Sequence, residues 1–126
     1  MAPTAKLLLV DRSGDALLSL RRVLGRRGYQ VRCVRTRGDA LRLLTAEPFD
    51  LVVTDWLLAD GEARQVAADA KDNIPRCRVL VLTEYERGWC VPQSNDPNVD
   101  AYLPKPYDPS ELLAHVDRLV RLAGPG

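Results

Sequence analysis

The stretch Asp50-Leu51-Val52-Val53-Thr54-Asp55-Trp56-Leu57-Leu58-Ala59-Asp60-Gly61 decides the fold. The apolar run Leu51 to Val53 is too short for a helix and rich in β-branched residues. It reads as a strand buried on both faces of a parallel sheet. The run ends in Asp55, and Asp60-Gly61 marks a turn. In open α/β sheets, ligands collect outside the carboxyl ends of the strands. Asp55 is therefore placed for chemistry. Asp is also a favoured helix N-cap, so capping of the next helix is the plain alternative.

The same pattern repeats on either side. Lys6 to Val10 is an apolar run ending at Asp11, followed by Ser13-Gly14-Asp15 with turn and N-cap character. Leu17, Leu20 and Leu24 recur at helical spacing, and Gly28 suits the end of that helix. Tyr29, Val31 and Cys33 alternate with polar residues, as in a half-buried strand. Ala40, Leu41, Leu43 and Leu44 predict a helix over 36–46, stopped by Pro48. After Gly61 a helix is expected over roughly 62–71, ending before Pro75. Arg78 to Thr83 reads as a strand ending in a hydroxyl, and Ala101 to Pro104 as a last short strand before Lys105-Pro106. Asp108-Pro-Ser-Glu111 is a helix start with a candidate capping box, and Leu112, Val116, Leu119 and Val120 form the buried stripe. Only 84–98 breaks the rhythm. Gly88, Pro92 and Pro97 stand there without an apolar period, so a full helix is not expected. The pattern is (βα)5: a doubly wound, five-stranded parallel sheet with a degenerate fourth helix.

Composition bounds the class. The chain has 126 residues, 46% hydrophobic and 28% charged, which suits one globular domain with a core over 5–123 and a tail at 124–126. No run reaches the roughly 18 apolar residues of a membrane span. Cys33, Cys77 and Cys90 lack CxxC spacing and read as reduced thiols of a cytoplasmic protein. With one histidine, a zinc site is not expected. Net charge is +1, but residues 1–50 carry ten Lys/Arg against five acids. Without aromatic interleaving, these arginines read as a solvated face rather than a nucleic-acid surface.

Polar residues fall just past the buried runs: Asp11, Asp55, Thr83 and Lys105. With the segments Leu7-Leu-Leu-Val-Asp11, Asp50-Leu-Val-Val-Thr-Asp55, Val79-Leu-Val-Leu-Thr83 and Tyr102-Leu-Pro-Lys105-Pro106-Tyr107, nearly the whole chain resembles the receiver domain of two-component response regulators, a flavodoxin-like fold. The resemblance implies that Asp55 accepts a phosphoryl group from a histidine kinase or phosphotransfer protein. It implies that Thr83 is the switch hydroxyl, Lys105 the cation on the phosphoryl group, Tyr102 the rotating aromatic, and Lys105-Pro106 a cis peptide. Output would pass to a downstream protein or an effector domain beyond Gly126, with no nucleic acid or membrane bound by this domain. Any catalysis would be limited to the self-phosphorylation and dephosphorylation typical of receivers.

The chain also departs from that pattern. Asp11 is followed by Arg12 where relatives carry a second acid that binds Mg²⁺, so metal binding at Asp11 and Asp55 is expected to be weakened or absent. Arg12 either reaches inward to pair with Asp55 or swings out to solvent. The loop after Asp55 is shorter than usual and lacks proline, and the fourth-helix region is interrupted. Two readings stay open: a receiver phosphorylated on Asp55, or a phosphorylation-independent pseudo-receiver that binds proteins.

Overall fold

The computed structural model describes residues 4–84 and 96–124. Strands β1 (Lys6–Val10), β2 (Gln30–Val34), β3 (Leu51–Asp55), β6 (Arg78–Glu84) and β7 (Ala101–Lys105) form one sheet in the order β2-β1-β3-β6-β7. Every pairing in it is parallel. A hairpin of β4 (Leu57–Leu58) and β5 (Gly61–Glu62) stands apart. Helices α1 (Gly14–Arg26), α2 (Arg37–Ala46), α3 (Ala63–Asn73) and α4 (Pro109–Ala123) cover the faces. Of the stretch 84–98, expected to interrupt a fourth crossover helix, 85–95 lie outside the described residues, and 84 and 96–98 belong to no helix. Among the described residues, no helix is long and apolar enough to cross a membrane.

Alternation within the strands divides the core into two layers. Leu8, Val10, Val52, Val79 and Val81 meet Ala40 and Leu44 of α2 and Val66, Ala67 and Ala70 of α3. Leu7, Leu9, Leu51, Val53, Leu80 and Leu82 meet Leu17, Leu20 and Leu24 of α1 and Leu112, Val116 and Leu119 of α4. β3 is buried along its whole length, as its unbroken apolar run requires.

Local chemistry fixes the helix ends. Ser13 caps α1 through Ala16 N, and Thr36 caps α2 through Asp39 N. Asp108 and Glu111 close the capping box anticipated for α4. Past α1 the chain turns at Gly28, whose φ of +100° strains any residue with a Cβ. α3 is capped by Glu62 and Gln65, not by Asp55, which lies seven residues before Glu62 in the chain. Capping therefore does not account for Asp55.

The loop after Asp55 holds more than a turn. It is the β4–β5 hairpin, and Asp60 at its tip accepts hydrogen bonds from Arg37 N (2.8 Å) and Gly38 N (3.0 Å). The shortened loop is thus fastened to the first turn of α2. A Cβ at Gly61 would lie 2.7 Å from Gln65 Oε1 and 3.0 Å from Arg37 Cδ, so a side chain there displaces the cap or the arginine stem.

Candidate functional site

The strand order reverses between β1 and β3, and the crevice of such a sheet opens at the carboxyl ends of those two strands. Asp11 directly follows β1, and Asp55 is the last residue of β3. The next strand outward, β6, carries Thr83 near its end, and β7 ends in Lys105. Register keeps them level: Asp55 is opposite Leu82, Thr83 opposite Pro104, and Glu84 opposite Lys105. Four successive strands thus deliver one polar residue each to the same sheet edge.

Their burial is unusual for polar groups. Asp11 is 3% exposed, Asp55 8% and Thr83 1%. Lys105 Nζ reaches Asp55 Oδ1 at 2.9 Å, an ion pair between residues fifty positions apart. Asp11 Oδ1 accepts from Ser13 N at 2.9 Å, but Asp11 Oδ2 is buried without a hydrogen-bond partner. Burial pushes the Asp11 carboxyl above its ordinary value, and the Asp55 charge pushes the same way. The Ser13 N–H and the charges of Lys105 and Arg12 offset part of that.

An unpartnered buried carboxylate oxygen beside a second carboxylate is suited to a divalent cation. Magnesium is commonly held by one or two carboxylates together with phosphate oxygens and water, so Asp11 and Asp55 fit it. They are a minimal donor set. Among the described residues no group of three or more His, Cys, Asp or Glu side chains converges to hold a metal.

Arg12, standing where a further acid was expected, takes the outward of its two anticipated orientations. Its side chain is exposed. Its carbonyl accepts two hydrogen bonds from Arg35, from Nε at 3.0 Å and Nη2 at 2.6 Å. The cation paired with Asp55 is Lys105. Arg12 still acts on the site through its charge at Asp11.

Tyr102 is half-buried, not fully inserted, and lines a small cavity of about 40 Å³ with Trp56, Ala63, Arg64, Val81 and Asp96. Burial raises its hydroxyl pKa, as does the nearby charge of Asp96, while a hydrogen bond with the Asp96 backbone lowers it. The Lys105–Pro106 peptide is cis, as the Lys-Pro signature implies.

Tyr107 belongs to this neighbourhood although no role was assigned to it from sequence. It packs against the layer beneath α1 and α4. Burial raises its hydroxyl pKa; Lys105 opposes this, and the charges of Asp11 and Asp55 add to it. Its place two residues after Lys105 was the available signal. Arg35 was the other omission, and nothing in its local sequence distinguishes it from the neighbouring arginines.

Comparison with known proteins gives one consistent set of matches. The sequence matches the model of the response regulator receiver domain over residues 7–117. It is 30% identical over 114 residues to DNA-binding transcriptional regulator NtrC of Rhizobium meliloti (strain 1021), covering 90% of this chain and 24% of that protein. It is 32% identical over 120 residues to response regulator protein PilR of Pseudomonas aeruginosa, covering 95% of this chain and 27% of that protein. The chain therefore spans about a quarter of the length of these two relatives. A CheY-like receiver domain protein from Methanospirillum hungatei JF-1 superposes with a TM-score of 0.81 at 26% identity, covering 98% of this chain and all of that one (100%). The signal receiver domain of an HD domain-containing protein from Pseudomonas fluorescens Pf-5 reaches 0.86 at 23% identity, over 98% and 91% of the two chains, a likeness of fold.

Proposed function

Since the chain belongs to the response regulator receiver domain family of two-component systems, we propose that Asp55 is its phosphoacceptor. The donor is a phosphohistidine on a histidine kinase or a phosphotransfer protein. The observation that carries this reading is the buried Asp55 carboxylate, paired with Lys105 at 2.9 Å beside an Asp11 oxygen that lacks a partner.

In the transfer, an Asp55 carboxylate oxygen forms a bond to phosphorus in line with the breaking P–N bond, and the histidine nitrogen leaves with the electron pair. Lys105 orients Asp55 beforehand and then faces a phosphoryl oxygen. Thr83, one residue beyond the partner of Asp55 on β6, offers a hydroxyl donor to the new group. Tyr102 follows as the second half of the switch, because a loop arrangement that binds the phosphoryl oxygens better becomes the populated one. Asp11 and Asp55 would hold a Mg²⁺ ion, whose positive charge would offset the phosphoryl oxygens, and the neighbouring Arg12 charge would weaken that binding. Output passes to a downstream protein or to an effector domain joined to this one, in the cytoplasm.

Arg12 in place of an acid favours a second reading, a receiver fold that binds its partner without phosphorylation. Incubation with acetyl phosphate or phosphoramidate and Mg²⁺, read by intact mass, separates the two. One phosphoryl group on the wild type and none on Asp55→Asn supports the phosphoacceptor. An unmodified wild type, with beryllofluoride leaving the Thr83 and Tyr102 amide signals unmoved, sinks it in favour of the second reading.

A further inference from the structure

β2 is an edge strand: it pairs with β1, and no other strand of the described residues pairs with it. In a parallel ladder, alternate residues direct both backbone groups to one neighbour. Gln30 N donates to Ala5 O, and Val34 O accepts from Asp11 N, so 30, 32 and 34 are the residues bonded to β1. Val31 and Cys33 consequently turn their N–H and C=O groups outward. An open groove of about 440 Å³ runs along this edge, walled by α1 and α2.

Three arginines rim the groove: Arg21 from α1, Arg32 from β2 and Arg42 from α2, with Asp39 the one acid among its lining residues. Most of the other arginines that pair with acids have fixed structural duties. Arg27 pairs with Asp117, Arg37 with Asp69, Arg76 with Asp50 and Arg78 with Asp100. Of the groove's arginines that pair with acids, Arg42 is held the most loosely. The Arg42 side chain is 80% exposed and meets Asp39 at 3.5 Å, and Arg32 meets Glu47 at 3.1 Å. Ion pairs this exposed contribute little and exchange readily for another carboxylate.

We propose that this edge is a docking site for an extended acidic segment of a partner protein, which adds to the sheet as a sixth strand beside β2. Val31 and Cys33 supply the backbone hydrogen bonds that bind any extended chain. The arginines select one with carboxylates at alternating positions and speed its encounter. An unprotected edge invites indiscriminate pairing, and the positive rim confines it to acidic chains. The site lies on the opposite side of β1 from β3, β6 and β7, so its occupancy is separable from phosphoryl transfer.

The test uses a fluorescein-labelled peptide alternating Glu with Val, titrated into the chain and followed by anisotropy and amide shifts. Binding that weakens with added salt, with shifts centred on Val31 and Cys33, is expected. Arg21→Glu with Arg42→Glu weakens it by roughly tenfold, equivalent to about 1.4 kcal/mol. A peptide N-methylated at alternate positions fails on the wild type, which keeps the test valid should the double variant not fold. No binding, equal binding of a Lys-Val peptide, or shifts confined to other surfaces overturns the proposal. So does self-association of the chain through β2, which would make a second copy the occupant.

Discussion

Asp11 holds a carboxylate under conditions that disfavour its charge. Its folded-state pKa lies above the ordinary 3.8, first because of burial and then because of Asp55. The native state therefore binds the proton more tightly than the unfolded chain does. Stability falls as pH rises from about that ordinary value through the folded one, and the full cost is present at neutral pH. Asp11→Asn keeps an oxygen for Ser13 N and removes the charge. It is expected to raise unfolding stability at neutral pH by on the order of 1 kcal/mol, the scale of an unsatisfied buried polar atom. The difference vanishes in acid, where the wild type is itself protonated. Urea melts at several pH values check this. Added Mg²⁺ should raise the midpoint of the wild type and leave Asp11→Asn nearly unmoved. A destabilised Asp11→Asn at neutral pH would mean that the carboxylate is structurally satisfied.

Single staples join elements that the core alone would leave free to slide. Asp117 on α4 accepts from the Tyr29 hydroxyl and pairs with Arg27, so one carboxylate ties the α1–β2 junction to the C-terminal helix. Burial raises its pKa, but Tyr29 and Arg27 overcome that and hold it below the usual carboxylate range. The stability it contributes is present above its unfolded pKa and lost as pH falls through the depressed one. Asp117→Asn should cost about 1 kcal/mol at neutral pH and nothing in strong acid, as read from thermal midpoints at both. The hairpin staple at Asp60 was invisible beforehand, because Asp60-Gly61 reveals a turn but not what the turn touches. Elements with their own periodicity were legible: β1, β3, α1 and α4 lie within a residue or two of their expected bounds. The hairpin was not, since two-residue strands carry no period. That Asp11, Asp55, Thr83 and Lys105 meet at one sheet edge was legible because each follows an apolar run, whereas the Arg35 bond to the Arg12 carbonyl spans 23 positions and carries no local signal.

The two ends of the whole sheet are built on opposite terms. At the amino end, Asp100 accepts from Lys71 (2.9 Å), Val79 N (2.8 Å) and Arg78 (3.1 Å), and Asp50 accepts from Lys6 N and Arg76. Burial raises the Asp100 pKa, yet these partners together hold it low. Asp100→Asn should therefore destabilise by about 2 kcal/mol at neutral pH, opposite in sign to Asp11→Asn. A double variant tests whether the two effects simply add, as expected for distant sites. At the amino end Asp100 and Asp50 are held by several donors each, while at the carboxyl end Asp11 keeps one buried oxygen without a partner beside the Asp55–Lys105 pair.

Lys105 and Asp55 sit on β7 and β3, with β6 between them. Two strand spacings separate their backbones, about 9.6 Å, and the lysine side chain bridges that width to make its 2.9 Å contact. The pair therefore works as a gauge. A cationic residue with a shorter stem keeps its charge at position 105 but stops before the carboxylate. Stem length at position 105 is therefore a dimensional tolerance, set by the width of one intervening strand.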